Sequence, residues 1–419
     1  MNTKLLIVPL MFFYLYGLTL NLFIPPILRL PTPIVFGLPL VFLFREKGQN
    51  EFFYKKELII FFITSFVFHL LGYERIKVFS VVLITITCCS LYFNYFVGRD
   101  LQRLKRSVLI YYCLLALSAF VMLLNHMYPG PVNILRKLLT GETVIQSPSG
   151  LTVFVFSFGY QLASLVTFLV IACSTFRKNL IIQIITFAVC LALILFGMNR
   201  SVLVVFSFSV AAFWLLYYRA KAVMIFGALI GLVVLFSSDI QELSSGRKQN
   251  ILSKNERDAK ENRDDLMLEN LEIIADNPFG LIFYGKTWDD VASRNPAFKR
   301  GETGLVTSHN AYMMFLTYVG ILPGLMLLFL IHRKIGKIFW AAILHIRKKE
   351  NALLVSICFS FLAVSMNPFF HNEWLIAGSG PIIFLYFCIL QLAKIQDPNK
   401  NKSPVTDRHY SSRPLSRSL

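Results

Sequence analysis

Charge is scarce in this chain. Only 15% of its 419 residues are Asp, Glu, Lys or Arg, where soluble domains carry about 25%. Acidic residues are scarcest, 23 against 41 Lys and Arg, and 13 of those 23 fall in one segment, 238–310. Cysteine offers no loop staple: Cys88, Cys89, Cys113, Cys173, Cys190, Cys358 and Cys388 all lie inside apolar runs. That excludes a disulfide framework and a zinc-ligand spacing. The N-terminus has only Lys4 before its first apolar run and no clear small-residue cleavage site, which predicts a retained span and not a removed signal peptide. No internal repeat is visible. What the chain does have is hydrocarbon: 56% hydrophobic residues, 40 Phe and a mean hydropathy of +0.62.

A membrane crossing needs about 20 mostly apolar residues, and lipid offers no partner for backbone N–H and C=O groups, so such runs must be helices. The expected fold class is an all-α integral membrane protein with one large extracytoplasmic loop containing short helices. About twelve runs qualify: 5–23, 28–44, 57–72, 78–97, 108–125, 151–175, 180–197, 201–217, 222–237, 311–331, 351–366 and 375–392. The organisation is then nine spans over 1–237, the loop 238–310, three spans over 311–392 and a disordered tail over 393–419, rich in Ser, Pro, Lys and Arg. With both termini cytoplasmic, the inner segments carry 25 Lys and Arg and the short outer ones six. The positive-inside rule favours that orientation. The same asymmetry explains most of the net charge of +18 as contact with anionic lipid, so nucleic acid is not needed as a partner.

The loop 238–310 is the one long polar segment, with 13 acidic and 10 basic residues. Within it Leu266, Met267, Leu271 and Ile274 recur at helical spacing, with acidic residues early in the run, where the helix dipole favours them. Asp276-Asn277-Pro278-Phe279-Gly280 stops that helix. Arg263 stands in its first turn.

Three side chains at the outer membrane edge could carry chemistry. Arg200, in the tight Met198-Asn199-Arg200 turn, either snorkels to lipid phosphates or binds an anion. Arg263 is either a surface ion-pair residue beside Asp264 and Asp265 or a second anion ligand. His309 either caps the next span or accepts a proton near neutral pH. Weaker candidates for binding substrate are His371, near Glu373 and the interfacial anchor Trp374, and Asn310, Lys286 and Trp288, the last because aromatic faces suit sugars.

These residues fall into an ordered set: Gly197-Met198-Asn199-Arg200-Ser201, Arg263 through Asn277-Pro278-Phe279-Gly280, Ser308-His309-Asn310-Ala311-Tyr312, and Gly320-Ile321-Leu322-Pro323-Gly324. In order and spacing the set, over roughly 180–332, resembles the O-antigen ligase/O-antigen polymerase superfamily, bacterial polytopic glycosyltransferases of the inner membrane. The resemblance implies a polyprenyl-diphosphate-linked glycan donor and a glycan or lipid A–core acceptor, with membrane lipid around the site and a chain-length regulator as possible partner. It implies neither metal nor cofactor. Arg200 and Arg263 would neutralise the departing diphosphate, and His309 would act as base towards the acceptor hydroxyl. Arg247-Lys248 and Lys299-Arg300 match no motif of the family. Polymerisation of repeat units is the preferred expectation, since segment 126–150 and the His371-Asn372-Glu373 loop could hold a second sugar chain. Ligation to lipid A–core is the alternative. A secondary transporter or flippase fits less well, because few charges interrupt the spans. A non-catalytic assembly scaffold fits least.

Overall fold

Apolar runs that cannot leave their backbone groups unpaired become helices, and no strand occurs among the described residues of the computed structural model. Those residues are 3–72, 75–141, 150–152, 155–177, 179–224, 226–227, 263–294, 298, 307–371 and 380–396. Among the described residues six helices are long and apolar enough to cross a membrane: Ile76–Val97, Leu101–Met127, Ser157–Phe176, Leu180–Gly197, Arg200–Tyr218 and Lys349–Phe369. Leu6–Thr19, Pro33–Leu43 and Gly380–Gln396 are apolar but shorter.

We label the helices in chain order. The first half holds α1 (Thr3–Thr19), α2 (Pro33–Leu43), α3 (Lys55–Ser65), α4 (Ile76–Leu91), α5 (Leu101–Met127) and α6 (Pro129–Thr140). Then follow α7 (Val155–Phe176), α8 (Leu180–Gly197) and α9 (Arg200–Tyr218). Helices α10 (Arg263–Asp276) and α11 (Trp288–Ala292) belong to the polar loop. The last four are α12 (Ala311–Val319), α13 (Ile321–Leu344), α14 (Ala352–Met366) and α15 (Gly380–Gln396). Helices α3 and α4 continue as π-helical turns over Phe66–Gly72 and Tyr92–Val97.

The structure redraws two of the expected runs. Run 28–44 is reduced to the 11-residue α2, because segment 20–32 folds back on α1: Leu22 N donates to Gly17 O (2.7 Å) and Thr32 N to Phe23 O (2.9 Å). Run 311–331 is not one helix. It breaks at Gly320, whose φ of +95° and ψ of 158° are non-helical, and α13 restarts at Ile321. Run 222–237 lies outside the described residues beyond 227, as does the tail from 397.

Helices α7, α14 and α15 form the centre. In the Lys349–Phe369 helix 72% of the apolar window is buried, against 22% for Leu180–Gly197 at the periphery. Small hydroxyl residues let α7 and α14 approach closely and satisfy one another. Ser164 and Ser360 hydroxyls are 3.0 Å apart, Tyr111 and Tyr112 reach them from α5 at 3.0 Å, and Tyr111 stacks on Phe384 of α15 at 4.1 Å. One end of the bundle is tied by Lys334 to Glu57, by Arg103 Nη1 to the Phe44 and Phe96 carbonyls (both 2.7 Å), and by Arg347 Nε to Tyr217 O (2.9 Å). Arg200, His309 and His371 lie at the other end.

Candidate functional site

The turn between α8 and α9 is made by Met198, which ends α8 in the left-handed region (φ 49°), and by extended Asn199. Arg200 is the first residue of α9 and is half-buried. Gly197 leaves room for the turn to sit on α7, since a Cβ there would lie 2.8 Å from Leu162 Cδ2.

Beside Arg200, Ser201 is the hub of a buried polar cluster. Its Oγ is 2.6 Å from Asn199 Oδ1, 2.6 Å from Asn367 Oδ1 and 2.8 Å from His371 Nε2. All four residues are 5% exposed or less. A hydroxyl has one proton and two lone pairs, so of three neighbours one accepts from it and two donate to it. A half-turn of each Asn amide exchanges its oxygen and nitrogen. Ser201 then donates to His371 and accepts from both amides, which employs the Asn199 and Asn367 Nδ2 groups that otherwise have no partner. Gly159 of α7 closes the cluster: a Cβ there would lie 2.3 Å from Asn199 Nδ2.

His371 holds a second element as well. Its carbonyl accepts from Ala311 N (2.9 Å), which fixes the start of α12 against the turn carrying His371. Just before α12, His309 adopts φ 53°, uncommon for a residue with a side chain, and is half-buried. Asn310 is the N-cap of α12, its side chain accepting from Met313 N (3.1 Å). The Asn310 oxygen is therefore engaged in starting the helix.

Helix α10 lies alongside α12. Asn270, fully buried, donates to Ser308 Oγ (2.8 Å) and accepts from Thr317 Oγ1 (2.8 Å). Beyond the C-termini of both helices, Ile321 N donates to Pro278 O (3.0 Å) and Leu281 N to Thr317 O (2.9 Å). At this crossing Gly280 (φ 89°) meets Gly320: a Cβ on Gly280 would lie 2.3 Å from Gly320 N. The two helices thus run in the same direction. Arg263, the first described residue of α10, stands seven residues before Asn270, about 10 Å along the axis, on the side from which α12 starts. Its side chain lies outside the described residues.

The starts of α9, α10 and α12 therefore share one end of the bundle, bringing the Arg200 and Arg263 backbones and His309 to that end. The weaker candidates fall elsewhere or are spoken for. Lys286 Nζ donates to Asn277 Oδ1 (2.9 Å), near the far end of α12, and lies 5.5 Å over the Tyr284 ring. Trp288 is buried, edge-on to Phe298 at 5.0 Å, so its ring is not an open platform. Among the described residues no group of three or more His, Cys, Asp or Glu is placed to hold a metal ion.

Three contributors were not singled out from sequence: Ser201, Asn367 and Asn270. Ser201 stands inside the quoted motif, but its partners Asn367 and His371 are more than 160 residues away. Arg136 counted only as topology charge. It is buried, with Nε donating to Gly150 O (2.7 Å) and Nη1 to Asn125 Oδ1 (2.9 Å) and Asn133 Oδ1 (3.1 Å). Burial lowers its pKa to about 10, which leaves it charged at neutral pH.

No family model matches this chain, and no curated protein is similar to it.

Proposed function

We propose that this protein is a membrane-embedded glycosyltransferase that polymerises polyprenyl-diphosphate-linked oligosaccharide units on the outer face of a bacterial cytoplasmic membrane, crossing that membrane about twelve times. The observation that carries the reading is the chain of contacts joining Arg200 to His309: Ser201 beside Arg200, its hydroxyl on His371, and the His371 carbonyl on Ala311 N. The motif resemblance described above supports the same reading.

In the reaction an acceptor hydroxyl oxygen attacks the anomeric carbon of the donor. The bond from that carbon to the diphosphate oxygen breaks, and the lipid diphosphate departs with the electron pair. Arg200 and Arg263 offset the charge that develops on it. The hydroxyl proton goes to His309. His371 is less suited to accept it, being buried with Nε2 held by Ser201.

His309→Ala and Arg200→Ala should each abolish glycan transfer while protein levels in the membrane stay normal. Normal glycan profiles from both variants would remove the assignment. Deleting the gene separates polymerase from ligase. Lipid A–core bearing a single repeat unit supports polymerisation, whereas a full ladder stranded on the polyprenyl carrier supports ligation.

A further inference from the structure

Away from the polar cluster, a cleft of about 240 Å³ opens between α1, segment 20–33 and the first turns of α4. Its walls are mostly hydrocarbon, led by Leu18, Leu22, Phe23, Val78 and Val82, with the Asn21 amide as a polar side chain on the α1 side. One cation, the exposed Lys77, stands among the lining residues in the first turn of α4. At its other limit is Thr85, eight residues further along the same helix, about 12 Å. The Thr85 hydroxyl donates to Val81 O (2.7 Å), so it is already satisfied within the helix. The cleft therefore starts at a charge on the edge of the α4 span and continues into hydrocarbon with no competing polar group on the α4 side.

The opposite wall is firmly built. Thr32, fully buried, donates from Oγ1 to Leu22 O (3.1 Å), and Leu22 N donates to Gly17 O (2.7 Å). Gly17 admits this packing because a Cβ there would lie 2.0 Å from Thr32 Oγ1. A rigid apolar slot with a single ammonium near the membrane edge complements an amphiphile with a negative head and a hydrocarbon tail.

We propose that this cleft binds one anionic phospholipid, its phosphate on the Lys77 ammonium and an acyl chain between Leu22 and Val78. The site does not depend on the transferase reading. It connects to the polar cluster through α1, where Thr19 O, at the helix end, accepts from Gln161 Nε2 of α7 (3.1 Å), two residues from Gly159. A lipid seated in the cleft braces the α1 end that supports this part of α7.

The test uses the full-length protein, purified in detergent and stripped of lipid, then titrated with phosphatidylglycerol or phosphatidylcholine and followed by native mass spectrometry. One phosphatidylglycerol should bind in preference to phosphatidylcholine. Lys77→Glu should weaken that binding about tenfold or more, as a charge reversal beside an anionic head group requires, and Lys77→Arg should retain it. Val78→Trp, which fills the slot, should abolish it without moving Lys77. Phosphatidylglycerol bound equally well by wild type and Lys77→Glu would overturn the proposal, as would equal binding of both lipids. Lys77 is exposed, so its variants are expected to fold, and unchanged thermal unfolding of the stripped proteins verifies this.

Discussion

Ser201 Oγ and His371 Nε2 lie 2.8 Å apart although 170 residues separate them in the chain. The contact joins the first turn of α9 to the segment that anchors α12. Each side chain is buried, so neither can exchange its partner for water without opening the bundle.

Ser201→Ala removes the hydroxyl on which Asn199, Asn367 and His371 converge. Leaving a buried polar group without a partner costs about 1–3 kcal/mol. A lowered midpoint of thermal unfolding in detergent is expected, with glycan transfer reduced more steeply than protein level. An unchanged midpoint would show that the three partners satisfy each other without the serine.

Gly280→Ala and Gly320→Ala should each destabilise the protein and loosen the loop. A Cβ on Gly320 would lie 2.5 Å from Phe279 C and O, and both glycines hold positive φ that a side chain disfavours. Because both changes disrupt one crossing, the double variant should lose less than the sum of the two singles. Hydrogen exchange in α10 and α12 reads the effect.

Asn270→Leu replaces the buried amide between α10 and α12 by hydrocarbon of similar size. The Ser308 and Thr317 hydroxyls lose their Asn270 bonds, although Thr317 keeps its bond to Met313 O (2.9 Å). Transfer should fall because the His309 segment loses its tie to α10, while expression stays near normal. Full activity would show that α10 is positioned by other contacts.

Asp290 provides a pH test confined to α11. Its carboxylate is held below the ordinary value of 3.8, first by the Thr287 N–H and then by the Thr287 hydroxyl. A depressed carboxylate stabilises the fold above its unfolded pKa, and that contribution is lost as pH falls through the lower folded value. Protection of the α11 amides, corrected for intrinsic exchange, should therefore be constant above about pH 5 and decline under stronger acid. Asp290→Asn should remove this acid-dependent step.

Arg263→Lys keeps a positive charge at the start of α10 but loses the planar fork that grips a phosphate through two parallel bonds. Reduced transfer is expected at unchanged membrane level. Activity equal to wild type would mean that charge alone suffices there.

The helical fold was legible from hydropathy, because a backbone in lipid has to satisfy itself within the segment. The stop of α10 at Asn277-Pro278-Phe279-Gly280 was legible too, because it depends on neighbours only a few residues away. The break in run 311–331 was missed: Gly320, Pro323 and Gly324 signal it locally, and backbone contact with Phe279 and Gly280 puts it at Gly320. Nor could sequence tell that Trp288 faces Phe298 or that Asn270 joins two helices.

Composition and hydropathy thus determined that the chain forms apolar helices, while position at the expected outer membrane edge and the motif resemblance named Arg200, Arg263 and His309 as candidates. Only tertiary structure decided that the turn beside Arg200 meets His371, and that α10 lies parallel to α12. Secondary structure is set by the solvent each segment must survive in. Which helices face each other is set by shape and by hydrogen bonds between residues far apart in the chain, and neither of these leaves a periodic trace in the sequence.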